Sequence, residues 1–175
     1  MNKTKTLCQL ALGTALYVIL SAVVKIPLLG HIQIDLGYIV FGSYLVIFGW
    51  KAIIVGVIGC LIESLIFSGW FPTGWIVGQV AIGLICGFWY KYSNDTPKTF
   101  KSVTRIIITI LAVFLGIGII KTAIECNLYS IPFEVKFAKD CVAFVADVIP
   151  MLVGIFIGER ILKIYDNDKR KLGAS

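Results

Sequence analysis

Six apolar runs alternate with short polar segments along the whole chain. The runs cover residues 7–24, 36–48, 52–67, 75–90, 106–120 and 142–157. A helix that crosses the hydrocarbon core upright needs about 20 residues, so the shorter runs are expected to extend into their flanking residues. The pattern predicts an all-α integral membrane protein, built as a bundle of six transmembrane helices.

The composition supports this class and leaves little room for a second domain. Hydrophobic residues make up 58% of the chain and charged residues 15%, whereas soluble domains have about 25% charged residues. No polar stretch is long enough to fold separately, so a single transmembrane domain over residues 1–175 is expected. The net charge of +6 lies in short segments between apolar runs, which argues against nucleic-acid binding because that needs a basic polar surface.

The distribution of Lys and Arg predicts the orientation. If the N-terminus is cytoplasmic, 12 of the 16 Lys and Arg residues fall in cytoplasmic segments, and the four outer ones are Lys25, Lys121, Lys136 and Lys139. Positive charge in short loops favours the cytoplasmic side. Six spans and this bias together predict that the N-terminus and the C-terminus are both cytoplasmic.

Two apolar runs carry polar side chains towards the outer side. Glu63 shares a helix face with Gly56 and Gly59, which directs it into the bundle, while Trp75 and Gln79 share a face of the next helix. An ionisable group within a span costs about 2.5 kcal/mol or more unless it is paired or hydrated. These residues either bind a ligand or have structural roles, as an interhelical hydrogen bond for Glu63 and an interfacial anchor for Trp75.

The last two runs add two charged candidates. Asp147 lies near the middle of the sixth run and is followed by Pro150, where a helix break would free a backbone carbonyl next to the carboxylate. Lys121 is one turn from Glu125, so these two residues could simply pair with each other. Glu63, Trp75, Gln79, Lys121 and Asp147 together predict an outward-opening cavity suited to a small amphipathic solute.

Motifs for catalysis and metal binding are absent from the sequence. It has no G-x-x-x-x-G-K-[ST] phosphate loop and no H-E-x-x-H, and His31 is its only histidine. ATP hydrolysis by phosphate-loop chemistry and a multi-histidine metal site are therefore excluded. We expect no catalytic residues, no metal and no cofactor.

Small residues form a stripe on the first helix. It consists of Ala11, Thr14, Ala15, Val18 and Ala22. Small residues at this spacing let membrane helices approach closely. The stripe either packs inside this chain or forms a docking face for another subunit.

The chain resembles the substrate-binding S components of energy-coupling factor (ECF) vitamin transporters. The resemblance rests on its size, the six-span plan, the Ala11-x-x-x-Ala15 pattern and the segment 69–75, Gly-Trp-Phe-Pro-Thr-Gly-Trp. It implies a subunit of the bacterial cytoplasmic membrane that captures a vitamin or related nutrient from outside. Its expected partners are a transmembrane coupling protein, contacted through Ala11 and Ala15, and two cytoplasmic ATPases, which would supply the energy.

The resemblance also assigns further residues. The segment between the first two helices acts as a lid in that family, and here it includes His31, Gln33 and Asp35, while Trp70 joins the expected substrate-binding residues. We favour an aromatic heterocycle of folate, pyridoxine or pyrimidine type as the substrate. The alternative is a structural or assembly protein of the membrane, in which Glu63 and Asp147 only pack helices.

Overall fold

The computed structural model describes residues 3–23, 25–29, 32–67, 69, 71–92 and 98–172. Its helices are α1 (Lys3–Val23), α2 (Gly37–Phe48), α3 (Ile53–Phe67), α4 (Thr73–Tyr92), α5 (Lys98–Val113), α6 (Thr122–Tyr129) and α7 (Phe133–Leu172). Two short strands, β1 (Lys25–Leu29) and β2 (Ile32–Asp35), connect α1 to α2.

Five helical stretches of the described chain are long and apolar enough to cross a membrane. They are Lys3–Val23, Gly37–Phe67, Thr73–Tyr90, Val103–Tyr129 and Phe133–Tyr165. This confirms the prediction of a helical protein that spans the membrane several times. The count of six spans and the cytoplasmic position of both ends remain predictions.

Gly49 interrupts the stretch that contains α2 and α3. Its φ of +61° lies in the left-handed region, which favours glycine because it has no Cβ. A 3₁₀ turn over Gly49–Ala52 follows. Beyond the turn, a Cβ built on Gly56 would lie 2.8 Å from the Phe41 ring, and one on Gly59 would meet Tyr17, which also packs against Tyr38. The order of these contacts shows that α3 runs back along α2.

The segment between α1 and α2 adds a short β-hairpin to the helical bundle. β1 and β2 form an antiparallel hairpin in which Lys25 pairs with Asp35 and Pro27 pairs with Gln33. Pairing two strands satisfies backbone groups that a helix would satisfy internally. The hairpin defines one end of the bundle, called the hairpin end below.

α7 is longer than predicted and continues through Pro150. It covers 40 residues, so the expected helix break beside Asp147 was wrong. Proline removes only one hydrogen-bond donor, and the following turn is held tightly against α2. Ser43 Oγ donates to the Gly154 carbonyl at 2.8 Å, and a Cβ on Gly158 would lie 2.7 Å from the Ser43 carbonyl oxygen.

The segment from Lys121 to Asp140, which contains three of the four lysines assigned to the outer side, is mostly helical. A π-helical segment over Phe114–Lys121 joins α5 to α6, and α7 begins at Phe133. Two glycines let α4 approach the π-helical segment closely, because a Cβ on Gly78 would lie 2.8 Å from the Gly116 carbonyl oxygen. The wide π turn therefore packs directly on α4.

Candidate functional site

Asp35 organises a buried polar cluster at the hairpin end. Its carboxylate accepts hydrogen bonds from Tyr17 Oη at 3.0 Å and Ser21 Oγ at 2.5 Å, both on α1. The backbone N–H of Gly37, the first residue of α2, also donates to it at 2.7 Å. These bonds explain why the hairpin and the start of α2 lie against the last turns of α1. We call Tyr17, Ser21, Asp35, Tyr38, Gln79 and Asp147 the Asp35 cluster.

α4 and α7 complete this cluster. Gln79 Nε2 donates to Tyr17 Oη at 3.0 Å, and a backbone hydrogen bond joins Asp35 to the Asp147 carboxylate. Gln79 is 1% exposed and Asp147 is 2% exposed, so neither side chain is solvated. The cluster thus brings two carboxylates, two phenols and one amide into the protein interior.

Two polar atoms of the Asp35 cluster have no hydrogen-bond partner among the described residues. They are Gln79 Oε1 and Tyr38 Oη, on side chains that are each 1% exposed. A buried polar atom without a partner costs about 1–3 kcal/mol, and such atoms are few in native proteins. They mark the cluster as a place where a polar group from outside the chain would be stabilised.

A second cluster lies about one to two turns further towards the hairpin end of α4 and α7. Lys121 Nζ pairs with Asp140 and lies 3.8 Å from a Glu125 oxygen. Lys136 Nζ lies 2.5 Å from Glu125 and 3.3 Å from Asp140. We call these four residues, with Trp75 and Thr122, the Lys121 cluster. Its two cations and two carboxylates balance, which makes their burial tolerable.

Trp75 connects the Lys121 cluster to α4. Lys121 Nζ lies 4.1 Å from the centroid of the Trp75 ring, within the range of a cation–π interaction. Thr122 Oγ1 donates to Asp140 at 2.9 Å, so Asp140 has three partners. Trp75 is half-buried and is one turn from Gln79, so neighbouring turns of α4 carry one residue of each cluster.

The structure brings most of the predicted site residues to this end of the bundle. Trp75 contacts Lys121. Asp147 bonds to the backbone of Asp35, the last residue of the predicted lid, and Gln79 reaches Asp35 through Tyr17. Lys121 pairs with Glu125, as the sequence suggested, and more closely with Asp140. Glu63 is half-buried, one turn beyond Gly59 on α3, and Gln33 is exposed on β2.

Two predicted residues cannot be placed. Trp70, among the expected substrate-binding residues, and His31, in the expected lid, lie outside the described residues.

Ala11 and Ala15 are exposed on α1, on the side away from its buried face. No group of three or more His, Cys, Asp or Glu side chains in the described part of the chain is placed to hold a metal ion.

Sequence reasoning missed three members of the Asp35 cluster: Tyr17, Ser21 and Tyr38. The signal for two of them was present. Leu10, Thr14, Tyr17 and Ser21 recur at helical spacing and are all buried, and hydroxyl groups on such a face need partners inside the bundle.

Comparisons with known proteins cover nearly the whole chain. The family model described as "ECF-type riboflavin transporter, S component" matches residues 1–167. A UPF0397 protein of Streptococcus thermophilus is 26% identical over 179 residues, covering 99% of this chain and 96% of the relative. UPF0397 protein YdcD of Lactococcus lactis is 29% identical, with coverage of 99% and 96%. A UPF0397 protein of Enterococcus faecalis is 27% identical, with coverage of 97% and 94%.

Proposed function

Because this chain belongs to the family of S components of ECF-type riboflavin transporters, we propose that it captures an aromatic heterocyclic nutrient from outside the cell. S components are the substrate-binding and not the catalytic subunits of ECF transporters. The chain is accordingly a multi-pass membrane protein of the transport class. Its relatives come from Gram-positive bacteria, which favours the bacterial plasma membrane.

The observation that carries the proposal is the pair of unpartnered atoms in the Asp35 cluster. Gln79 Oε1 is an acceptor and Tyr38 Oη can donate or accept, and both are buried. A nutrient with ring nitrogens and carbonyl groups supplies the complementary donors and acceptors. Binding then gains hydrogen bonds that the free protein lacks, which raises affinity and selects for polar heterocycles.

The preference for an aromatic ring is supported by Trp75. Lys121 lies over the indole ring, and the half-buried position of Trp75 leaves part of the side chain accessible. Aromatic rings gain about 0.5–1.5 kcal/mol from favourable pairing beyond the area they bury. Riboflavin, which the name of the family model contains, is an aromatic heterocycle, as are the folate, pyridoxine and pyrimidine types that the sequence favoured.

We assign the β1–β2 hairpin as the lid over this site. Asp35 would fix the base of the lid through its bonds to α1. Gln33, exposed on β2, would lie on the surface of the lid. Glu63, Trp75, Gln79, Lys121 and Asp147 would line the site, together with Trp70. In this arrangement Lys121 acts through the Trp75 ring it covers, because its charge is already neutralised by Asp140.

For the membrane topology, we propose six crossings within one domain of residues 1–175, with both ends cytoplasmic. Two observations support this: α3 runs back along α2 after the positive φ of Gly49, and most Lys and Arg residues lie in the segments assigned to the cytoplasm. The hairpin end then faces outward. Ala11 and Ala15, exposed on α1, would contact a transmembrane coupling protein with two ATPases.

The direct test is to identify the ligand of the purified full-length protein. Mass spectrometry of small molecules released on denaturation should reveal an aromatic heterocycle. The protein is also heated with each of four compounds in turn: riboflavin, folate, pyridoxine and a thiamine-type pyrimidine. One of them should raise the thermal midpoint, since a ligand at 100 times its Kd stabilises the fold by about 2.7 kcal/mol. Absence of both signals would favour a structural or assembly protein of the membrane instead.

The site assignment has its own matched pair of variants. Trp75→Leu should weaken binding of the identified nutrient by at least tenfold while the protein remains folded. Trp50, which is 50% exposed at the opposite end of the bundle, provides the control Trp50→Leu with unchanged affinity. Equal affinities of both variants would remove Trp75 from the site.

A further inference from the structure

One phenol joins α4 to the hairpin. Tyr17 Oη accepts a hydrogen bond from Gln79 Nε2 at 3.0 Å and donates one to Asp35 Oδ2 at 3.0 Å. Tyr17 is 1% exposed, so water does not compete for either bond. Because a phenol has a single proton, its donation to Asp35 fixes which lone pairs remain for Gln79. The two bonds therefore depend on each other.

Asp35 lies at the base of the hairpin. It is the last residue of β2 and pairs across the hairpin with Lys25, the first residue of β1. Its Oδ1 atom is bound by Ser21 and by the backbone of Gly37, whereas Oδ2 is bound by Tyr17. Ser21 and Gly37 belong to α1 and to the start of α2, whereas the Tyr17 bond continues to Gln79 on α4.

We propose that Tyr17 is a positioning residue, which couples the hydrogen bonding of the Gln79 amide on α4 to the position of the base of the hairpin. The inference rests on the proposed function for its meaning, because there α4 carries substrate-binding residues and the hairpin is the lid. A substrate that forms a hydrogen bond with the Gln79 amide alters the strength of the bond that Gln79 Nε2 donates to Tyr17 Oη. The strength of the Tyr17–Asp35 bond changes with it, and so does the seating of the lid.

The Tyr17 role can be tested without a ligand. In the full-length protein in lipid nanodiscs, hydrogen exchange of the hairpin amides measures how often the hairpin opens. Gln79→Met keeps the length of the side chain but removes the donor, and it should accelerate hairpin exchange about tenfold, the effect of one hydrogen bond. Tyr17→Phe should accelerate it by the same order, and the double variant should exceed neither single variant by more than twofold.

Two control variants separate transmission from simple loosening. Ser21→Ala removes a bond to the other oxygen of the same carboxylate without involving α4, so its effect should combine with that of Gln79→Met more nearly multiplicatively than the effect of Tyr17→Phe does. Tyr44→Phe removes another tyrosine hydroxyl that bonds α1, at the Gln9 carbonyl, and should leave hairpin exchange unchanged.

Two results would overturn the inference. Unchanged hairpin exchange in Gln79→Met would show that α4 does not communicate with the hairpin. Multiplicative effects of Gln79→Met and Tyr17→Phe would show two independent contacts. Either result would refute the coupling and not the proposed function, whereas a failed ligand search in a protein that shows the coupling would refute only the proposed function.

Discussion

Asp140 is the residue of the Lys121 cluster whose replacement should destabilise the fold most clearly. It is 1% exposed and accepts from Lys121, from Lys136 at 3.3 Å and from Thr122 at 2.9 Å. Asp140→Asn keeps the shape but removes the negative charge. Lys121 and Lys136 then face each other with Glu125 as the one remaining carboxylate of the cluster.

The size of the effect follows from this burial. Removing one partner of a buried ion pair costs about 3–5 kcal/mol, because a charge is left uncompensated. Lys136 and Glu125 lower this cost by re-pairing, so we expect about 3 kcal/mol. For a chain of 150–250 residues, 1 kcal/mol shifts the midpoint by about 2–4 °C, which predicts a loss of about 6–12 °C.

The assay is thermal unfolding of the detergent-solubilised protein, followed by fluorescence of its tryptophans. Glu134→Gln is the matched control, since Glu134 is exposed in the first turn of the same helix, and it should shift the midpoint by less than about 2 °C, as surface substitutions do. An Asp140→Asn midpoint within 2 °C of the wild type would show that the cluster is hydrated and that its ion pairs add little.

The remaining predictions concern packing, the opposite end of the bundle and docking. Gly56→Ala should destabilise the fold by about 1–3 kcal/mol, measured by thermal unfolding, because the new Cβ would lie 2.6 Å from the side-chain oxygen Oε1 of Gln79 on α4. Glu159→Gln should cost about 1–3 kcal/mol, because it weakens the 2.8 Å bond to Arg105, which is 6% exposed; an unchanged midpoint would contradict this. Replacing Ala11 and Ala15 with Leu should abolish uptake in cells while binding to the purified protein is retained, and loss of binding would contradict the docking assignment.

Much of the fold could be predicted because helices cover nearly all of each apolar run, although the run 106–120 passes from α5 into the π-helical segment. The predicted run 36–48 is α2 from residue 37 to 48, and 52–67 is α3 from 53 to 67. Hydrophobicity along the chain determines where membrane helices occur, so these bounds follow from local sequence. The strands of the hairpin and the π-helical segment depend on pairing and packing with other elements, which no local pattern of the chain reveals.

The candidate site was only partly predictable for the same reason. Gln79 and Asp147 attract attention because polar groups are costly inside a membrane. Tyr17 and Tyr38 do not, since a tyrosine is mostly apolar and its hydroxyl becomes informative only when its partners are known. Asp35 was expected to serve the lid, but its contacts with α1 emerge only from the three-dimensional arrangement.

Because α7 is long, the position of its far end depends on how the whole bundle is tilted in the membrane. Its 40 residues extend about 60 Å at 1.5 Å per residue, whereas the hydrocarbon core of a bilayer is about 30 Å thick. A large part of the helix must therefore lie beyond the hydrocarbon. Close packing at Gly154 and Gly158 holds α7 against α2. Any tilt of the bundle in the membrane therefore moves the C-terminal end of α7 in the aqueous phase. A spectroscopic label at the exposed Lys163 would report that movement as a change in its distance from the lipid surface.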